Sequence, residues 1–137
     1  MDNIFLDADI VLDFLAQRKP FHPFADQVFQ LSDEGKVTLY VSSLTFSHVH
    51  YILGRQLGKS KARQILKTFK VLVKVVSVGD KVIDLALASS FKDFEDAIQH
   101  FTALEVGCSV ILTRNISDYK QAQLPVMTAE SYIKLSK

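Results

Sequence analysis

Short apolar runs alternate along this chain with stretches of helical periodicity, and no other feature narrows its fold as far. Asn3-Ile4-Phe5-Leu6 reads as a buried strand, Val37-Thr38-Leu39-Tyr40-Val41 as a second, and the β-branched stretch Val71 to Val78 as a third. Ser109-Val110-Ile111-Leu112-Thr113 makes a fourth, and Leu124-Pro125-Val126-Met127 is a candidate fifth. Between them, apolar residues recur three and four positions apart. The helical sets are Ile10, Val11, Phe14; Phe24, Val28, Leu31; Val49, Ile52, Leu53, Leu57; and Ala62, Ile65, Leu66, Phe69. Val82, Leu85 and Ala86 predict another helix, as do Ala97, Phe101 and Leu104, and a closing helix is expected from Thr128. Pro23 suits a first helical turn, where no N–H is needed, and Gly35 and Gly58 stand where helices stop. Strands separated by helices require right-handed crossovers into a parallel sheet, so the chain is expected to be α/β.

The 137 residues fit one domain, 1–137, that buries about two-thirds of its unfolded surface. A 48% hydrophobic and 23% charged composition suits such a core. Cys108 is the one cysteine, so an internal disulfide is excluded and a reducing, cytoplasmic setting is expected. In its apolar run Cys108 reads as a small buried side chain. No apolar stretch is long enough for a membrane span, and the start of the chain lacks the basic n-region of a signal peptide. The net charge of +1 conceals a segregation: between Glu34 and Asp80 no acid occurs, while 8 of the 16 basic residues do. Separation of this kind points to an anionic partner. Arg63, Lys67, Lys70 and Lys74 would form one stripe if their helix runs that far, although a solvated helix face explains the same spacing.

The acids concentrate in three places that matter: Asp7-Ala8-Asp9 with Asp13, then Asp93-Phe94-Glu95-Asp96, then Asp118. Asp33-Glu34, at a helix end, reads as solvent-facing. Asp7 directly follows a buried strand, where an acid is rare unless it is paired, bound to a cation or capping a helix. Three acids within four residues exceed what a helix N-terminus needs, and their mutual repulsion is costly without a cation. In parallel sheets, ligands bind beyond the carboxyl ends of strands where strand order reverses. If strands one and four are neighbours, Asp7 and Asp118 share that crevice with Thr113, Arg114 and Asn115. Oxygen donors without clustered cysteine or histidine suit Mg2+ or Mn2+ rather than zinc. A carboxylate-held metal beside a phosphate points to phosphoester hydrolysis, and the basic middle to a polyanionic substrate. His48 and His50, two apart on a helix, do not face one metal, so a structural or substrate-side role is expected of them.

Four segments, taken in order, resemble the PIN-domain family: Phe5-Leu6-Asp7-Ala8-Asp9-Ile10-Val11-Leu12-Asp13, Ser42-Ser43-Leu44-Thr45, Asp96-Ala97-Ile98-Gln99, and Ile111-Leu112-Thr113-Arg114-Asn115-Ile116-Ser117-Asp118-Tyr119. The resemblance covers nearly the whole chain. It implies a three-layer α/β/α sandwich with a central parallel sheet of four to five strands. It also implies a metal-dependent ribonuclease, similar to VapC-type toxins, that forms homodimers and is silenced by a small antitoxin protein. Asp7, Asp96 and Asp118 would hold Mg2+ or Mn2+, with Asp9, Asp93, Thr113 and Asn115 lining the same pocket, and Arg63, Lys67, Lys70, Lys74 and Arg114 facing RNA. One departure stands out, because the glutamate usual after the second strand is replaced by His48. Glu95 is the expected substitute in the catalytic set and Asp9 the alternative. A PIN-like module that binds RNA or protein without cutting is the competing reading. Asp7-Ala8-Asp9-Ile10-Val11 also resembles the first motif of haloacid-dehalogenase-like phosphatases, but the later motifs of that family would fall here in the wrong order.

Overall fold

The computed structural model describes residues 2–136. The chain runs β1 (Asp2–Leu6), α1 (Ala8–Leu15), α2 (His22–Asp33), β2 (Val37–Ser42), α3 (Ser43–Leu57), α4 (Lys59–Phe69), β3 (Lys74–Val76), α5 (Asp80–Ala88), α6 (Phe94–Glu105), β4 (Val110–Leu112), β5 (Val126–Met127) and α7 (Ala129–Ser136). Single 3-10 turns cover Lys70–Leu72 and Ile116–Tyr119. All strand pairs are parallel, in the order β3-β2-β1-β4-β5.

β1 lies at the centre because both of its faces are apolar, as a strand covered on both sides must be. Ile4 and Leu6 point into a core built from α1 to α4 and α7, while Phe5 joins Ala103, Ile111 and Tyr119 on the opposite face. α6 covers that second face through Ala103, and α5 packs on α6 through Val82, Ala86, Ala97 and Ile98. The three layers are therefore helices, sheet, helices, as the family resemblance implies. Aromatic contacts bind the larger layer: Phe14 stacks on Phe29 at 3.9 Å between centroids, and Phe69 meets both Phe29 and Phe46.

The chain builds outward from β1 to β2 and β3, then returns to add β4 and β5 on the other side. The crevice at the reversal opens between the carboxyl ends of β1 and β4, where Asp7 N–H donates to the Leu112 carbonyl at 3.0 Å. Among the described residues no helix is long and apolar enough to cross a membrane.

Two expectations are corrected at the far edge of the sheet. The third strand spans only Lys74–Val76, because β3 pairs on one side alone and Val71 and Val75 stay exposed. α4 also stops at Phe69, so Lys74 leaves the expected basic stripe; its ammonium sits 5.9 Å from the Tyr40 ring centroid. Arg63, Lys67 and Lys70 remain exposed on and just after α4. Leu57 and Leu85, expected to face inward, are exposed on α3 and α5.

Phe69→Ala should destabilise the fold by about 3–5 kcal/mol, the range for emptying a buried aromatic site. Val71→Ala should stay within about 0.5 kcal/mol, as for a surface residue. Urea unfolding of the two variants measures the difference.

Candidate active site

Asp7 ends the central strand and caps α1 with its own side chain, so its capping role and its place in the crevice coincide. Its Oδ1 accepts from Ala8 N–H at 2.8 Å and from Gln99 Nε2 at 3.4 Å. Its Oδ2 accepts from the Thr113 hydroxyl and the Tyr119 hydroxyl, each at 3.0 Å. Behind it runs a buried polar chain. Gln99 Nε2 also donates to Thr45 Oγ1 at 3.0 Å, while Gln99 Oε1 accepts from Ser42 Oγ at 2.6 Å. Buried amides and hydroxyls are costly unless paired in this way. With both oxygens held by these donors, the carboxylate is oriented before any ligand arrives.

In front of Asp7 opens a cavity of about 360 Å³ on which Asp7, Asp9, Asp93, Glu95, Asp96 and Asp118 converge, with Arg18 and Arg114 at its edge. Asp9 Oδ2 accepts from Arg114 N–H at 2.9 Å, Thr113 Oγ1 at 3.3 Å and Asn115 Nδ2 at 3.4 Å. Asp9 Oδ1 is buried with no hydrogen-bond partner among the described residues. Burial, then the charge of Asp7, pushes the Asp9 carboxyl up to about 6. Burial, followed by the charges of Asp7, Asp93 and Asp118, pushes Asp96 up to about 7. The Tyr119 hydroxyl lies between the two acids, 3.0 Å from Asp7 Oδ2 and 3.5 Å from Asp96 Oδ1. Burial and these two carboxylates hold its pKa far above the usual phenol value, so it stays a donor.

The remaining expected residues divide. Asp93 borders the cavity but spends one oxygen capping α6, accepting from Asp96 N–H at 3.0 Å. Asp118 sits on the 3-10 turn after β4 and is exposed. Glu95 is largely exposed, its Oε2 3.6 Å from His48 Nδ1 on α3. Arg63, Lys67, Lys70 and Lys74 do not border this cavity. Ser42, Thr45, Gln99, Tyr119 and Arg18 were not expected as site residues, and Asp13, grouped with Asp7 and Asp9 in the sequence, is buried against two arginines instead. For Gln99 a signal existed, since it lies three positions after Asp96 and four before the buried Ala103, on one face of α6.

Apart from His48 the donor set is oxygen, gathers acids that repel one another and includes the unpartnered Asp9 Oδ1. It therefore fits a hard divalent cation better than a soft one. Among the described residues no three acids, histidines or cysteines close into a compact ligand cluster; the acids line an open cavity instead.

A family model described as a PIN domain matches residues 3–117. Ribonuclease VapC1 of Aquifex aeolicus (strain VF5) is 26% identical over 96% of this chain and 93% of its own length. Among solved structures, the DNA-bound VapBC of Salmonella typhimurium superposes with a TM-score of 0.72 at 14% identity, covering 94% of this chain and 99% of that one. A toxin-antitoxin complex from Klebsiella pneumoniae gives 0.68 at 19% identity, covering 92% and 97%. At these identities the structural matches speak for the fold.

Asp9 and Asp96 bind protons more tightly when folded than at their ordinary value of 3.8. Their contribution to stability is complete below about pH 4 and is lost as pH rises through 6 and 7. In chelator, the melting temperature should carry this falling component between pH 5 and 8, and Asp96→Asn should flatten it and raise the value at pH 8. Thermal melts of both proteins across that range check it.

Proposed function

The chain belongs to the PIN domain family, and from that premise we propose that it is a divalent-metal-dependent endoribonuclease, the toxin of a toxin–antitoxin pair. The observation that carries this reading is the pairing of Asp7 and Asp96 across the Tyr119 hydroxyl at the mouth of the β1–β4 crevice. Asp7, Asp96 and Asp118 would hold Mg2+ or Mn2+, and a cation so held neutralises charge on phosphoryl oxygens and activates water for attack. The chain's own residues do the rest. Thr113 and Tyr119 fix one oxygen of Asp7, and Gln99 and the α1 N-terminus fix the other. Glu95, held near His48, brings a further carboxylate to the cavity in place of the missing glutamate. Asp9, whose Oδ2 already accepts from Arg114, Thr113 and Asn115, is less free to do so.

The relative named a ribonuclease and the neighbour described as a toxin-antitoxin complex support this reading. Apolar side chains left exposed on α3 and α5, including Tyr51 and Leu87, offer surface for protein partners; we count a second copy and a small antitoxin among them. The lone buried Cys108, its thiol pushed up to about 12 by burial, fits action in the cytoplasm. A phosphatase of the haloacid-dehalogenase type, which also needs a lysine in its site, is disfavoured, because among the described residues no lysine borders the cavity. The non-cutting module remains the second reading, favoured by His48 standing where an acid is usual.

Single-stranded RNA should be cut in Mg2+ or Mn2+ and left intact in chelator or by Asp7→Asn. Gln99→Leu, which removes a group orienting Asp7, should lose about 10–100-fold in metal affinity or rate. Cleavage by Asp7→Asn in excess chelator would sink the metal-dependent reading, and RNA binding without any cleavage would favour the module.

A further inference from the structure

Asp13 on α1 is only 1% exposed, and two arginines reach it from different segments. Arg114 grips both oxygens, Nε to Oδ2 at 2.9 Å and Nη2 to Oδ1 at 3.1 Å. Arg18 donates from Nε to Oδ1 at 3.0 Å and from Nη2 to the Asp9 carbonyl at 3.3 Å. A buried carboxylate needs one cation beside it; here it has two, of which Arg114 also faces the charge of Asp9, and both guanidiniums are held in place. Among the described residues neither Nη1 has a partner, and both guanidiniums border the carboxylate cavity. A bracing role for Asp13 would leave these spare donors, aimed from two fixed guanidiniums, unexplained.

Arg114 also has a second environment. Its guanidinium carbon lies 3.9 Å from the ring centroid of Phe21. With Asn115 it forms the wall between the carboxylate cavity and a second, more apolar one of about 450 Å³, lined by Ile10, Pro20, Phe21 and Phe24 with Thr128 at its rim. The volume suits a small ring system. Fixed guanidiniums with free edges recognise phosphate oxygens, and unpaired bases are taken up by stacking on aromatic rings and arginine planes. Here both features share one residue and adjoin the acids. We propose that Arg18 and Arg114, fastened on Asp13, bind the phosphate next to the scissile one, and that the Phe21–Phe24 cavity holds the unpaired base attached to it. This nucleotide subsite rests on the ribonuclease reading for its placement beside the cut bond. It would make the chain select a single-stranded position by its base.

The test uses the full chain carrying Asp7→Asn, in chelator, with fluorescein-labelled single-stranded RNAs read by anisotropy. One abasic nucleotide, walked along the RNA, should weaken binding roughly tenfold at one position adjoining the cut site, the scale of one lost base–aromatic stack. Phe21→Leu should cause a similar loss with intact RNA and little further loss with that abasic RNA, the signature of coupled partners. Phe21 is partly exposed, so the substitution spares the core, and a thermal melt checks this. Arg114→Lys, which keeps charge but loses the bidentate grip, should also weaken binding. RNA affinity indifferent to every abasic position and to Phe21→Leu overturns the subsite, even if the unsubstituted chain cuts RNA and the ribonuclease reading stands. A single sensitive position in RNA that is never cut keeps the subsite and removes the nuclease. Loss of a protein partner by Phe21→Leu with RNA affinity unchanged assigns the cavity to that partner and overturns the proposal.

Discussion

The two oxygens of Asp7 are where four separate parts of the chain are tied together. The α1 N-terminus, Gln99 of α6, Thr113 after β4 and Tyr119 of the 3-10 turn all donate to them. Since β1 is the central strand, this places the carboxylate at the end of a strand that backbone pairing holds from both sides. A site needs its reactive groups held by supporting contacts as much as it needs the groups themselves. In this chain the supporting contacts are uncharged side chains, and they are buried.

The same arrangement is a source of instability in the cation-free chain. Asp9 and Asp96 are pushed toward protonation by burial and by one another's neighbours, and Asp9 Oδ1 lacks a partner. Strain of this kind concentrates at functional sites and is offset by the core around them. The large apolar layer of α1 to α4 and α7 provides that offset, while Arg18 and Arg114 limit the charge of α1 by enclosing Asp13.

Much of the fold could be read along the chain. Each strand of the interior lies where an apolar run was found, since a strand buried on both faces admits little else. At the edge that logic weakened. Val71 to Val78 looks as apolar as a central strand, yet with a neighbour on one side alone it pairs for three residues, and the helix before it ends early enough to strand Lys74. Asp7 and Asp96 stand out in the sequence because a carboxylate at a strand end or crowded among acids violates local expectation, and Asp118 only through the crevice it shares with Asp7. Gln99 and Tyr119 violate none. Their importance comes from contacts that span 92 and 112 positions of sequence.

Glu95 and Asp13 illustrate the remaining division. The order of strands and helices, the family and the acid-rich character of the crevice follow from patterns a few residues long, because hydrophobic periodicity and local charge repulsion act over that range. Which acids stay free was settled by distant partners. Glu95 meets a histidine from α3, Asp93 turns to its own helix, and Asp13 disappears between arginines brought from the α1–α2 loop and the end of β4. Side-chain pairing across the fold depends on how the layers are stacked, and that stacking exists only once the sheet has closed its order around β1.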